Sequence, residues 1–399
     1  MVTRTVTDAA TFAAALAISV GGDVISCAAG TYGVVTSSKK FTSQMRVVST
    51  NPASPAIFTK FDLDNAAYWS LEDLKLANPY QSGFTITDGS MRCWYSDNIS
   101  VLRCEIFNGN IPATGFQYGS AIYCLFATNL TVNDCRIRTC NIGLNLSNIT
   151  GVSINRNEIY DIGIDGIDLF EVRDGSVDGN YIHDFRTDYY SGSHNDFIQV
   201  ASYVNEIVPR NLSITNNILD IGQGSWVQNI LSQSEAFDGT NTYRLQGMVY
   251  SGNKIRGSFT YGIKCGIGTS FVCENNIISW VPANPTEPYN VITTNLGEHQ
   301  GFTSTQSIPK IFIEVSSLPS IVRNNTFYGG PFYAGPRIDW GGSTEAALIA
   351  AGWTISSNVT YKDTVAPPNP VFLTYFGGGG VVPTVVNFGP SAVTAVGGY

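Results

Sequence analysis

From Trp69 to Asn358 one pattern of apolar and polar positions recurs: apolar, any, apolar, any two residues, then Asn, Cys or Leu, any, and apolar again. It reads Trp69/Leu71/Leu74/Leu76, Ile99/Val101/Cys104/Ile106, Leu130/Val132/Cys135/Ile137 and Val152/Ile154/Asn157/Ile159. It continues through Val177/Asn180/Ile182, Leu212/Ile214/Asn217/Leu219, Met248/Tyr250/Asn253/Ile255 and Phe271/Cys273/Asn276/Ile278, with weaker copies at Val322/Asn325/Phe327 and Trp353/Ile355/Asn358. Alternation with period two buries one face of a short strand, and the break that follows turns the chain into a second strand. Positions 135, 157 and 180 are 22 and 23 residues apart, and 253 and 276 are 23 apart. The unit is therefore a coil of about 22 residues, with loops inserted where the interval is longer.

Such a repeat predicts an all-β solenoid, a parallel β-helix whose coils stack along one axis, so that 399 residues form one body. An inward Asn at each turn can pair its amide with the Asn of the coil above and below, which satisfies polar atoms that burial would otherwise leave alone. Asn157, Asn180, Asn217, Asn253 and Asn276 are the expected ladder, with Cys104 and Cys135 as small apolar substitutes. The same pattern absorbs the glycosylation-type sequons at Asn98, Asn129, Asn145, Asn148, Asn211, Asn324 and Asn358, most of which fall at or beside strand starts.

The flanks differ. Asp8 followed by Ala-rich sequence to Ala17 reads as a capped helix, and the segment from Gly21 to Tyr32 as turn, strand, turn. We divide the chain into an N-terminal cap with first strands (1–60), the β-helix (61–362) and a Gly/Val/Pro-rich tail (363–399). The tail either closes the open end of a monomer or pairs with partner chains, as in a homotrimer.

Composition narrows the partners. Only 13% of residues are charged, while Gly is 40, Tyr 20 and Phe 21, a mixture suited to strands and tight turns. A formal charge of −9 without any Lys/Arg run argues against nucleic acid. No apolar stretch has the length of a membrane span, and the start is not signal-like, so the expected location is a virion or the extracellular space, reached without a signal peptide in this chain. The eight cysteines are dilute and lack CxxC pairs. Cys93 to Cys124 and Cys104 to Cys135 are both 31 apart, the spacing of equivalent positions on consecutive coils, and buried reduced thiols are expected. No cofactor is expected; Asp62 and Asp64 form the one acidic pair where calcium comes into question.

A second strand follows each ladder turn, in "AIYCLF", "GLNLS", "GIDLF", "DFIQV" and "YGIKCG". Alternation turns Tyr123, Asn145, Asp168, Gln199 and Lys264 outward, with Gln228 or Asn229 of "SWVQNIL" between the last two. This makes a polar stripe that advances about 5 Å per coil, roughly the advance of a sugar residue in a glycan. Two turns feeding it concentrate ionisable groups. "YDIGIDGIDLF" carries Asp161, Asp165 and Asp168, and "HDFRTDYYSGSHNDFIQV" carries His183, Asp184, Arg186, Asp188, Tyr189, Tyr190, His194 and Asp196. Asp165 and Asp196 occupy matching places, three residues before Asp168 and Gln199. Carboxylates one coil apart can divide acid and base work at a glycosidic bond, because proximity pushes their pKa values apart. Asp165, Asp196, His194 and Lys264 are the catalytic candidates, and a Lys, His or Tyr base would instead suit proton abstraction from a uronic acid. Asp168, Gln199 and Asn145 are read as substrate-binding, with Tyr189, Tyr190 and Trp226 as stacking platforms for sugar rings.

The repeat and its Asn ladder, over about Phe61 to Thr360, resemble the pectate-lyase-like superfamily, which implies a right-handed parallel β-helix. "GIDGIDLFEVRDGSVDGNYIHDF" followed by "SHNDFIQV" looks like β-helix proteins of bacterial exoproteins and phage tails, in which an HxDxIQ-like string follows a DGI-type strand. A looser similarity to polygalacturonases falls on Asp165, Asp196 and Lys264. It departs from their pattern at Asn195, at "GQGSW" and at Gly262, two residues before Lys264. The resemblance implies a polysaccharide partner, and we expect a depolymerase of a bacterial surface or extracellular glycan on a phage tailspike, with a glycoside hydrolase ahead of a polysaccharide lyase or uronate C5-epimerase. A non-catalytic glycan-binding or structural spike is the competing class.

Overall fold

The computed structural model describes residues 1–78, 85, 87–108, 119–185, 195–202, 208–222, 227–234, 244–257, 261–266, 268, 270–280, 310–314, 319–328, 338–340, 342–361, 371–374 and 382–385. Stacking begins near the N-terminus. Thr3–Val6 pairs in parallel with Val24–Cys27, that strand with Lys40–Ser49, and that one with Ala67–Glu72. The first strands of the N-terminal segment therefore belong to the same solenoid as the coils after them. Between them lies the helix Ala9–Ile18, closed by a reciprocal capping box in which the Thr11 amide donates to Asp8 Oδ1 (2.8 Å) and the Asp8 amide to Thr11 Oγ1 (3.1 Å). Its Phe12 ring meets the edge of Phe58 at 5.2 Å and covers the open end of the core.

Each coil contributes strands to three faces. The first face runs through Asp97–Leu102, Arg173–Asp178, Arg210–Thr215, Met248–Ser251 and Phe271–Glu274; the second through Glu105–Phe107, Tyr181–His183, Ile218–Asp220 and Lys254–Gly257. The third carries Gly89–Trp94, Asp196–Ser202, Gln228–Ser234 and Tyr261–Cys265. The register stacks like on like: Ile99 on Leu130 on Val152, and Ile106 on Ile137 on Ile159. These inner columns are fully or almost fully buried, each side chain contributing about 1.5–3 kcal/mol relative to exposure.

The ladder stands between the first and second faces. Asn180 Oδ1 accepts both the backbone amide and the Nδ2 of Asn157 at 2.9 Å, while Asn157 Nδ2 also donates to the Val132 carbonyl at 2.8 Å. The same arrangement repeats from Asn180 to Asn217, Asn253, Asn276, Asn325 and Asn358. Cys135 takes the next place, its amide donating to Asn157 Oδ1, and Cys104 the one before, its amide against Cys135 Sγ at 3.4 Å. All eight cysteines are free and buried, with the Cys27 and Cys140 thiols pushed up to about 12 by burial.

The sequons have a backbone explanation. Asn98, Asn129, Asn148, Asn211 and Asn324 sit at corners with φ between 53° and 56°, the left-handed region that Asn tolerates better than most residues. Asn358 closes the ladder and Asn145 is buried. In the tail, Val371–Thr374 and Val382–Val385 form an antiparallel pair.

Candidate active site

The third face carries the chemistry. Its strand Glu158–Phe170 pairs with Arg136–Asn155 through a register shift that sets Asp165 opposite Ile142 and Asp168 opposite Asn145. The next strand over, Asp196–Ser202, sets Gln199 opposite Asp168. Gly166 permits this close approach, since a Cβ there would lie 2.5 Å from the Phe197 carbonyl oxygen. The Asp196 backbone amide donates to Asp165 Oδ1 at 2.7 Å, so the two aspartates do lie on adjacent coils of one face.

Asp165, Asp168 and Asp196 are 6%, 1% and 0% exposed. Burial, and after it the charges of Asp165 and Asp196, hold the Asp168 carboxyl well above the usual carboxylate range. Its Oδ1 is buried without a hydrogen-bond partner. Asp168, read from the sequence as a binding residue, therefore has the surroundings of a protonated acid. Among the described residues no set of three His, Cys, Asp or Glu side chains is arranged as metal ligands. Asp62 of the calcium pair is held by Arg92, its two oxygens accepting from Nε and the guanidinium tip at 2.7 and 2.6 Å.

The outward column runs Tyr123, Asn145, Asp168, Gln199, Leu231, Lys264 and Phe312. One coil differs from expectation. Neither Gln228 nor Asn229 follows Gln199: Gln228 pairs with Asp196, Asn229 is buried, and Leu231 takes the column position. The cause is an unshifted register, because once Asp196 faces Gln228, Gln199 must face the residue three further on. Asn145 and Gln199 flank Asp168 and are 4% and 3% exposed.

Lys264 is not with the carboxylates. It lies three coils beyond Asp168, about 14 Å at the strand spacing, and its Nζ donates to Gln233 Oε1 (3.0 Å) and pairs with Glu314 (3.1 Å). His194, Tyr189, Tyr190 and Trp226 lie outside the described residues. His183, from the same dense turn, sits on the second face, stacked on Tyr181 at 4.0 Å and paired with Asp184 at 2.7 Å. Burial opposes its charge, but Asp184 and Glu158 outweigh it and raise its pKa.

Sequence reasoning passed over Tyr95 and Phe126. They occupy the corner that ends the third face on consecutive coils, 56% and 42% exposed, with rings stacked at 5.1 Å and 11°. Their φ values of 47° and 54° are unusual for aromatic residues, and Asn65 and Asn148 fill the same corner on neighbouring coils. The only signal was that an aromatic replaces Asn at this place in the repeat.

A family model for the right-handed β-helix region matches residues 61–227. No curated protein matches the chain by sequence. Among solved structures, a GH136 lacto-N-biosidase from Eubacterium ramulus overlays with a TM-score of 0.53 at 10% identity, covering 90% of this chain and 68% of its own. The pectate lyase Pel9A overlays with a TM-score of 0.52 at 13% identity, covering 71% and 76%. An alginate lyase from Paenibacillus sp. overlaps more loosely, with a TM-score of 0.43 at 14% identity over 90% and 95%. The chain is a right-handed parallel β-helix, and its fold is that of the pectate-lyase-like proteins.

Proposed function

We propose that the chain is a polysaccharide-degrading enzyme, and specifically a glycoside hydrolase with Asp168 as general acid and Asp165 and Asp196 as its partner carboxylates. The observation that carries this reading is the raised pKa of a buried Asp168 between two carboxylates of its own and the next coil. A carboxyl whose pKa is raised can protonate the leaving oxygen, while a neighbouring carboxylate stabilises or attacks the anomeric carbon. Adjacent coils are about 4.8 Å apart, which suits the close carboxylate pair of a retaining enzyme, where the two groups are about 5 Å apart. The burial that keeps the acid protonated also means that productive binding must open the triad to the sugar. The likeness in fold to a lacto-N-biosidase and a pectate lyase supports glycan as the substrate. Tyr95 and Phe126 supply flat apolar faces at the rim, three and two coils from Asp168 respectively.

The finer assignment is a depolymerase of a bacterial surface glycan carried on a phage tailspike, and it rests on the HNDFIQ string beside the "GIDGIDLF" strand. The test is incubation with purified bacterial exopolysaccharides, following reducing ends and absorbance near 232 nm. New reducing ends without the absorbance, abolished in Asp168→Asn, are the expected result. Absorbance rising with reducing ends makes the chain a lyase, and neither signal in any glycan leaves a binding spike.

A further inference from the structure

Arginines that reach across coils in this solenoid are commonly met by a carboxylate one strand away, as Arg103 is by Asp73, Arg156 by Asp134 and Arg323 by Glu274. Arg173 and Arg210 depart from that habit. They are Cα partners on adjacent strands of the first face, so two cationic side chains start about 4.8 Å apart. Thr150 precedes them in the row and Gln246 follows, so the flanking positions bring no acid. Arg173 Nε is buried without a hydrogen-bond partner, and Arg210 is exposed. Asp174, next to Arg173 in the chain, accepts a hydrogen bond from Asn211 Nδ2 at 2.7 Å. Like charges directly opposite each other in a sheet are destabilising. An anion between the two would turn that repulsion into attraction.

The pair lies on the same two coils as the acid triad, one face further along the chain. Arg173 stands five residues after Asp168, just past the corner at Glu171, and Arg210 belongs to the coil that carries Asp196 and Gln199. We propose that Arg173 and Arg210 form an anion site that grips an acidic substituent of the glycan, a carboxylate or a sulfate, so that the substrate is an acidic polysaccharide. The inference rests on the hydrolase reading for the glycan, and on the arginine register for the charge. Guanidinium forks match both anions in bidentate geometry. The formal charge of −9 repels polyanions overall, which makes a local cationic pair beside the site the decisive field.

The test titrates the full chain in the Asp168→Asn background, so that no glycan is cut, with dextran sulfate, polygalacturonate and uncharged dextran. Expected is binding of at least one polyanion over dextran, weakened about tenfold or more by Arg173→Gln or Arg210→Gln. That loss shrinks as salt rises, and without glycan the variants melt no lower than their parent because repulsion is relieved. Binding of dextran sulfate alone assigns the site to sulfate, and of polygalacturonate alone to carboxylate. Equal affinity in parent and variants, dextran binding as tightly as dextran sulfate, or no polyanion binding overturns the proposal. Polyanion binding through the arginines with no glycan ever cleaved removes the hydrolase reading alone, whereas cleavage confined to neutral glycans removes the anion site alone.

Discussion

The backbone amide of Asp196 donates to the Asp165 carboxylate at 2.7 Å, a contact that spans 31 residues of sequence and one coil of the solenoid. It ties the strand that carries both Asp165 and Asp168 to the next strand of the face, and the Asp165 charge helps to hold the Asp168 proton. Asp165→Asn keeps an acceptor for the amide but removes the charge. The Asp168 pKa then falls, so the alkaline limb of the hydrolysis profile moves to lower pH while the fold is kept. Asp165→Ala also strands the amide and lowers stability by about 1–3 kcal/mol. A pH–rate profile and a denaturant titration on both variants check this pair of outcomes.

Asp168 also leaves a signature in stability. Its folded pKa is raised, so the folded chain holds a proton that the unfolded chain releases near pH 3.9. Stability therefore declines as pH climbs from about 4, and the decline ends only when the folded pKa has been passed. Asp168→Asn removes this slope, and its melting temperature should gain on the parent with each step up in pH. A difference that stays constant from about pH 4 to pH 8 would take the proton away from Asp168.

The ladder predicts an asymmetry between its positions. Asn217→Ala strands the Asn180 amide and side chain and the Val177 carbonyl, and should cost roughly 2–4 kcal/mol. Cys135→Asn places a ladder residue where the Asn157 oxygen already accepts the backbone amide, and should fall within about 1 kcal/mol of the parent. Chemical denaturation distinguishes the two.

Tyr95 and Phe126 should separate stability from binding. Replacing Tyr95 by Asn relieves a left-handed backbone at φ 47° and raises stability by about 0.5–1 kcal/mol. The same change, and Phe126→Ala more so, should weaken glycan binding several-fold by removing a stacking face. Unaltered affinity in the double variant would show that the exposed rings do not contact the glycan.

Much of the architecture was written in local alternation. Which residues face inward, the coil of about 22 residues, the Asn ladder with Cys104 and Cys135 in it, the capped helix after Asp8 and the shared face of Asp165 and Asp196 all follow from period-two patterning and turn chemistry. The stack decided the rest, because neighbours across coils depend on how much loop each coil inserts. Successive ladder residues are 22 apart at one step and 49 at another, yet every step is one strand spacing. That is why Leu231 enters the column, why Lys264 finds Glu314, and why Arg173 comes to lie on Arg210. The raised pKa of Asp168 belongs to the same category, since desolvation and the fields of two carboxylates exist only once the coils have closed around it.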